Sequence, residues 1–188
     1  NEEAVLDYLS LMQLLSEYAD YLTINVSSPN TVGLRNLQGK EALSNLLYQI
    51  DEQRKLEEKQ YEKKLPILVK LAPDLTESEL NDAIDVIIDS KMDGIIITNT
   101  TVSRDGVKSI LRSESGGLSG KPLSPKSEAV LHQTVKRING KIPIVSVGGI
   151  MTPDDTKRRL DAGATLIQIY SGLIYTGPSL VKKIVKFI

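Results

Sequence analysis

The chain has 188 residues, enough for one domain or part of a larger one. Its 40% hydrophobic content can build a sizeable core, and its net charge of -1 gives no ground for nucleic-acid binding, which needs clustered Lys and Arg. With no cysteine, disulfides, Cys-ligated metals and a Cys nucleophile are excluded, and the single histidine, His132, excludes a multi-His metal site.

The start, Asn1-Glu2-Glu3, is acidic and opens directly into a helical pattern. No signal peptide is visible, no run approaches the ~18 apolar residues of a membrane span, and the chain reads as a piece of something longer. Residues 2–17 place Val5, Leu6, Leu9, Met12 and Leu15 near helical spacing. An apolar run at 21–26 leads into Asn25-Val26-Ser27-Ser28-Pro29-Asn30-Thr31. Segment 51–64 is dense in Glu, Lys, Arg and Gln and reads as a solvated helix or connector. A second apolar run, 67–71, leads into Lys70-Leu71-Ala72-Pro73-Asp74. A helix is predicted over 76–90, where Thr76 and Glu79 have the spacing of a capping box.

The third run, 94–98, precedes Asn99-Thr100-Thr101. The Gly-rich stretch 115–122 resembles a P-loop, but Ser115 replaces its first glycine and Pro122 stands where Ser or Thr should follow Lys121. It reads instead as a loop folded over a ligand. Ser124-Pro125 and Thr152-Pro153 each read as an N-cap followed by Pro at the first helical position. His132 lies in the helical stretch 127–137 and reads as a structural or surface residue. The fourth and fifth runs, 142–147 and 165–170, end in Gly148-Gly149 and Tyr170-Ser171-Gly172. Asp154 and Asp155 suit the positive end of a helix dipole. Residues 178–187 put Leu180, Val181, Ile184 and Val185 on one side.

Five β-branched runs, nearly continuously apolar, predict strands buried on both faces in a parallel sheet. Helices between them make an α/β protein, either doubly wound or a (β/α)8 barrel. Five strands cannot close a barrel of ~250 residues, so the barrel reading puts about three strands upstream of Asn1. No linker divides residues 1–188, which read as the C-terminal part of one domain.

Both architectures place ligands at the C-terminal ends of the strands. Gly148-Gly149 lets backbone approach a ligand and fits a phosphate site, or forms only a tight turn. Lys70 ends an apolar strand, where it either meets an anion or extends its ammonium to solvent. Asn25, Asn30 and Asn99 can each donate and accept, which suits a planar ligand with mixed edges such as a pyrimidine or flavin.

These blocks resemble class 2 dihydroorotate dehydrogenases. The resemblance is carried by Asn25–Thr31, Gly33-Leu34-Arg35, Leu37-Gln38-Gly39-Lys40 and Val69–Leu75. Thr98–Arg104, Gly116–Leu123, Val147-Gly148-Gly149 and Gln168-Ile169-Tyr170 follow in order. The resemblance implies a (β/α)8 barrel, of which this chain holds about the last five β/α units. It implies FMN as cofactor, dihydroorotate and orotate as substrate and product, and a membrane quinone as electron acceptor. Ser28 is the implied catalytic base, taking a proton from C5 while hydride leaves C6 for flavin N5, with Thr31 helping through a water. Ser28, where class 1 relatives carry Cys, points to class 2. Asn25, Asn30, Asn99 and Thr100 are the implied substrate ligands. Asn25, Lys70, Thr98, Gly120, Gly149, Tyr170 and Ser171 are the implied FMN ligands, and Ser171 departs from the Thr often found there. The family's first strands and its N-terminal membrane-contacting element are expected outside this chain. The implied location is the bacterial cytoplasmic or mitochondrial inner membrane. A related flavin barrel acting on another pyrimidine, or a non-catalytic FMN- or phosphate-binding half-barrel, remains open.

Overall fold

The computed structural model describes residues 2–188. Helix α1 (Glu2–Leu15) and a 3-10 turn, Ser16–Tyr18, lead into β1 (Leu22–Asn25). A second 3-10 turn, Leu34–Gln38, precedes α2 (Lys40–Tyr61) and β2 (Ile67–Leu71). Then come α3 (Glu77–Asp89), β3 (Gly94–Ile97), a 3-10 turn Lys121–Leu123, α4 (Ser124–Ile138) and β4 (Ile144–Ser146). The chain finishes with α5 (Pro153–Asp161), β5 (Leu166–Ile167), α6 (Ser171–Thr176) and α7 (Ser179–Phe187). Among the described residues no helix is long and apolar enough to cross a membrane.

The strands form one sheet in the order β1-β2-β3-β4-β5, with every pairing parallel. Each strand therefore pairs with the next in sequence. A doubly wound sheet reverses its order at a switch point, whereas a barrel does not. The order resolves the two architectures in favour of a barrel segment.

Side chains alternate across each strand. Ile24, Ile67, Val69, Leu71, Ile95, Ile97 and Ile144 point to the helix layer and join its core. Leu43, Leu46, Leu47 and Ile50 of α2 and Leu80, Ala83, Ile84 and Ile87 of α3 meet them there. The opposite face carries Asn25, Lys70 and Ile96 in one register row.

Three expectations need correction. Only β3 and β4 are buried along their whole length. The inner face of β2 is half-buried because it borders a cavity, and Leu166 on the edge strand β5 is 61% exposed. Segment 51–64 is not simply solvated. Asp51 and Glu57 are buried, and Arg54 Nη1 donates to Asp93 Oδ2 at 2.8 Å, tying α2 to the start of β3. Ser124 is not an N-cap, because the preceding 3-10 turn runs directly into α4 and Leu123 and Ser124 are already helical. By contrast, on α7 the apolar side stands as read, with Leu180 and Ile184 buried and Val181 and Val185 lining one groove with Ile184 against β5. Both predicted caps with an acidic N3 are present, at Thr76 with Glu79 and at Thr152 with Asp155. His132 is exposed on α4.

Candidate active site

All five strands end on the same side of the sheet, and a cavity of about 550 Å³ opens there. Its wall begins at Lys70 on β2 and passes Thr98, Asn99 and Thr100 after β3. It continues to Gly148 and Gly149 after β4 and to Tyr170 and Ser171 after β5. The volume lies within the ~300–1,000 Å³ typical of small-molecule sites.

One end is a fixed set of amides. Asn99 Nδ2 donates to Asn25 Oδ1 and to Ser27 Oγ, each at 3.0 Å. Ser27 Oγ donates in turn to Asn25 Oδ1 at 3.0 Å, and Thr100 N donates to Asn99 Oδ1 at 2.8 Å. Tyr8 of α1 braces the same point, its hydroxyl donating to the Asn25 carbonyl at 2.9 Å. Burial raises the Tyr8 phenol above its ordinary value. The two adjacent serines have separate fates. Ser27 is fully buried in the amide network, while half-buried Ser28 accepts only the Asn30 N–H, at 3.2 Å. Thr31 is exposed and lines a neighbouring groove against α1.

The Gly-rich loop lies across this end. Thr101 and Leu118 form an antiparallel bridge, and Arg104 Nη2 donates to the carbonyls of Glu114 and Gly116 at 3.0 and 2.7 Å. A Cβ on Gly117 would lie 1.8 Å from Thr100 Oγ1, so only glycine lets the loop settle there.

Beneath the amides sits a charged clamp. Arg35 donates through Nε to the Ser27 carbonyl at 3.1 Å, through Nη2 to the Thr100 carbonyl at 2.8 Å and through Nη1 to Asp74 Oδ2 at 2.9 Å. Asp74 also accepts from Lys126, Thr101 Oγ1 and the Val102 N–H. Burial alone would raise its carboxyl, but the bonds from Lys126, Thr101, Val102 and Arg35 outweigh that and hold it below the usual range.

The other end is built from backbone. Gly149 has φ +75, and a Cβ there would lie 2.5 Å from the Ser124 backbone, so the turn packs directly on the start of α4. Ser119 and Ser171 hydroxyls meet at 3.0 Å alongside Gly120. Behind the turn lies Arg159 of α5, with no exposed surface. Its Nη2 donates to the carbonyls of Ser124 and Gly148 at 3.0 and 3.1 Å and to Ser127 Oγ at 2.8 Å, and Nη1 reaches Ser146 Oγ at 3.3 Å. Nε has no partner, and Glu128 is the only carboxylate within 4.0 Å among the described residues.

Beside the amides, on β2, stands Lys70. Burial lowers its ammonium pKa, and no carboxylate among the described residues pairs with it. A half-buried cation without an anion is costly unless a ligand supplies one.

The dihydroorotate dehydrogenase family model matches residues 1–188, the whole chain. The chain belongs to the dihydroorotate dehydrogenase family. It is 46% identical to the dihydroorotate dehydrogenase (quinone) of Idiomarina loihiensis over 98% of this chain and 55% of that protein. It is 48% identical to the one from Christiangramia forsetii, over 98% of this chain and 53% of the relative. The crystal structure of the Eimeria tenella enzyme in complex with ferulenol superposes with a TM-score of 0.91 at 34% identity, over 97% of this chain and 52% of that one. The chain thus spans about half the length of the dihydroorotate dehydrogenases it matches.

Of the residues expected at the site, Lys70, Thr98, Asn99, Thr100, Gly120, Gly149, Tyr170 and Ser171 line the one cavity. Asn25 joins it through Asn99, whereas Asn30 lies outside the cavity wall beside Gly116 of the Gly-rich loop, where a Cβ would stand 3.3 Å from Asn30 Oδ1. Ser28 lies on the same loop, outside the cavity wall. The supporting residues Arg35, Asp74, Lys126 and Arg159 were not singled out as site residues from sequence. For Arg159 a signal existed. Helix α5 carries only Leu160 as a large apolar residue, so its buried face has to be polar, and it is Thr156 and Arg159.

Proposed function

We propose that residues 1–188 form the site-bearing C-terminal part of an FMN-containing (β/α)8 barrel that oxidises dihydroorotate to orotate and passes the electrons to a quinone. The observation that carries this reading is Lys70: a half-buried ammonium without an anion among the described residues, beside the amides in the wall of a cavity that the glycine turn also lines. The residues fit FMN. The glycine turn allows close approach of a phosphate, and Thr98, Gly120, Tyr170 and Ser171 surround the space next to it. Lys70 would hold the pyrimidine edge of the flavin, where negative charge develops on reduction.

Bound here, FMN would supply the acceptor for the hydride from C6 of dihydroorotate. Asn25, Asn30, Asn99 and Thr100 orient the substrate, and the bonds among Asn25, Ser27 and Asn99 fix those amides before it arrives. Ser28 takes the proton from C5. A serine is a weak base, and the Asn30 N–H on its Oγ stabilises the negative charge that forms there. Exposed Thr31, three residues on, can pass the serine proton to solvent through a water.

Relatives named for quinone support a quinone acceptor and a membrane-associated setting, reached through a part of the barrel protein outside this chain. The test is anaerobic mixing of the intact enzyme with dihydroorotate. Wild type should bleach the flavin. Ser28→Ala should keep FMN bound and slow bleaching by about 10²–10⁴-fold. A wild-type flavin that dihydroorotate never reduces would refute the activity, and unchanged bleaching by the Ala variant would remove Ser28 from its role.

A further inference from the structure

We propose that Arg159, outside the cavity wall, is a positioning residue for the phosphate end of the site. Among the described residues no carboxylate comes within hydrogen-bond reach of its buried charge, and the phosphate dianion of the cofactor completes it across the Gly148-Gly149 turn. This rests on the FMN reading of the cavity.

Three observations carry it. The first is direction. Arg159 Nη2 donates to the Gly148 carbonyl at 3.1 Å. In a trans peptide the carbonyl and the next N–H point in opposite directions. Drawing the Gly148 carbonyl toward Arg159 therefore turns the Gly149 N–H away from it, and Gly149 itself borders the cavity. The same Nη2 holds the Ser124 carbonyl, and Ser124 backbone lies under Gly149. One guanidinium thus sets both surfaces that shape the turn.

The second is charge. Arg159 is wholly buried, and its side-chain donors meet neutral oxygens of Ser124, Ser127, Ser146 and Gly148. Glu128 approaches only to 4.0 Å from the partnerless Nε, and it also faces Arg158 at 3.5 Å. Asp155 accepts from Arg158, Met151 N and Thr152 N. Neutral partners solvate the guanidinium but do not neutralise it. A buried cation in that state is costly, and an apolar side chain would fill the space at less cost.

The third is position. The charge lies directly behind the glycine turn that follows β4, and that turn is part of the cavity wall. A bound dianion would lie across a single peptide from it, in a setting where Coulomb attraction is weakly screened.

The test compares FMN with riboflavin, which lacks the phosphate, binding to the flavin-stripped intact protein by fluorescence quenching. Arg159→Met should weaken FMN at least about tenfold, as expected for loss of a charge partner at low dielectric, and leave riboflavin unchanged. Arg159→Lys should keep most of the preference for FMN. Glu128→Gln, at a partly exposed position, removes the competing carboxylate and should tighten FMN without affecting riboflavin. Equal losses of FMN and riboflavin in the Met variant would make Arg159 purely structural and overturn the proposal. If the Met variant does not fold, an unchanged FMN-to-riboflavin ratio in Glu128→Gln overturns it instead. A wild-type protein that binds riboflavin as tightly as FMN would instead refute the phosphate assignment beneath it, a separate and recognisable failure.

Discussion

Asp74 and Arg159 are both ionised groups held behind the cavity wall, and the protein treats them in opposite ways. Asp74 receives two cations, Arg35 and Lys126, together with a hydroxyl and a backbone N–H. Its charge is consumed within the chain, and what it yields is geometry. Arg35 is fixed so that it can pin the carbonyls of Ser27 and Thr100 at the two sides of the amide mouth. Arg159 receives hydroxyls and carbonyls and no close carboxylate. It also orders a turn, but its charge remains available. A saturated ion positions a site, whereas an unsaturated one also attracts a ligand.

The comparison can be broken most severely at Asp74. Asp74→Ala leaves Arg35 and Lys126 without their shared anion, and removing one partner of a largely buried pair costs roughly 3 kcal/mol. Denaturant unfolding of the intact protein should show that loss, together with slower flavin reduction. A variant as stable as wild type would show that the clamp is ornamental. A smaller effect is expected at Gly149→Ala, where the added Cβ would meet Ser124 backbone at 2.5 Å in a left-handed conformation. Overpacking of this kind costs about 1–3 kcal/mol. It should also weaken FMN more than riboflavin, because the turn moves away from the phosphate. If riboflavin weakens equally, the turn does not hold the phosphate.

The smallest effect is on acid stability. The Asp74 carboxyl lies below its ordinary range in the folded protein, because its bonds to Lys126, Thr101, Val102 and Arg35 outweigh burial. Its contribution is complete above the unfolded carboxylate value of about 3.9 and is lost as pH falls through the lower folded value. Asp74→Asn should flatten that part of the stability curve, measured by thermal melts below about pH 4. An unchanged acid limb would assign the loss to other carboxylates.

Much of this molecule is local and therefore legible. The capping boxes at Thr76 and Thr152 need only residues three apart, and both formed as their spacing required. The polar ends of greasy strands come together because a parallel sheet delivers every strand end to one side, where Lys70, Asn99, Gly149 and Ser171 line one cavity and Asn25 bonds to its wall. The N-cap assigned to Ser124 failed because a cap depends on the conformation of the residues before it, and those were already helical. The 51–64 segment misled because its composition is that of a surface, while Asp51 and Glu57 are buried and Arg54 is held by an aspartate 39 residues further on.

By itself the sequence determined the element types, the site-bearing ends of the strands and, through ordered motifs, the family. Only the tertiary structure decided the strand order, which identifies a barrel segment, and the separate fates of Ser27 and Ser28. It alone showed that Arg35 meets Asp74 across 39 positions and that Arg159 lies beneath Gly148. The physical reason is one of range. Caps and strand patterns are set by neighbours in sequence, whereas the balance of a buried charge depends on every group that folding brings within about 4 Å of it.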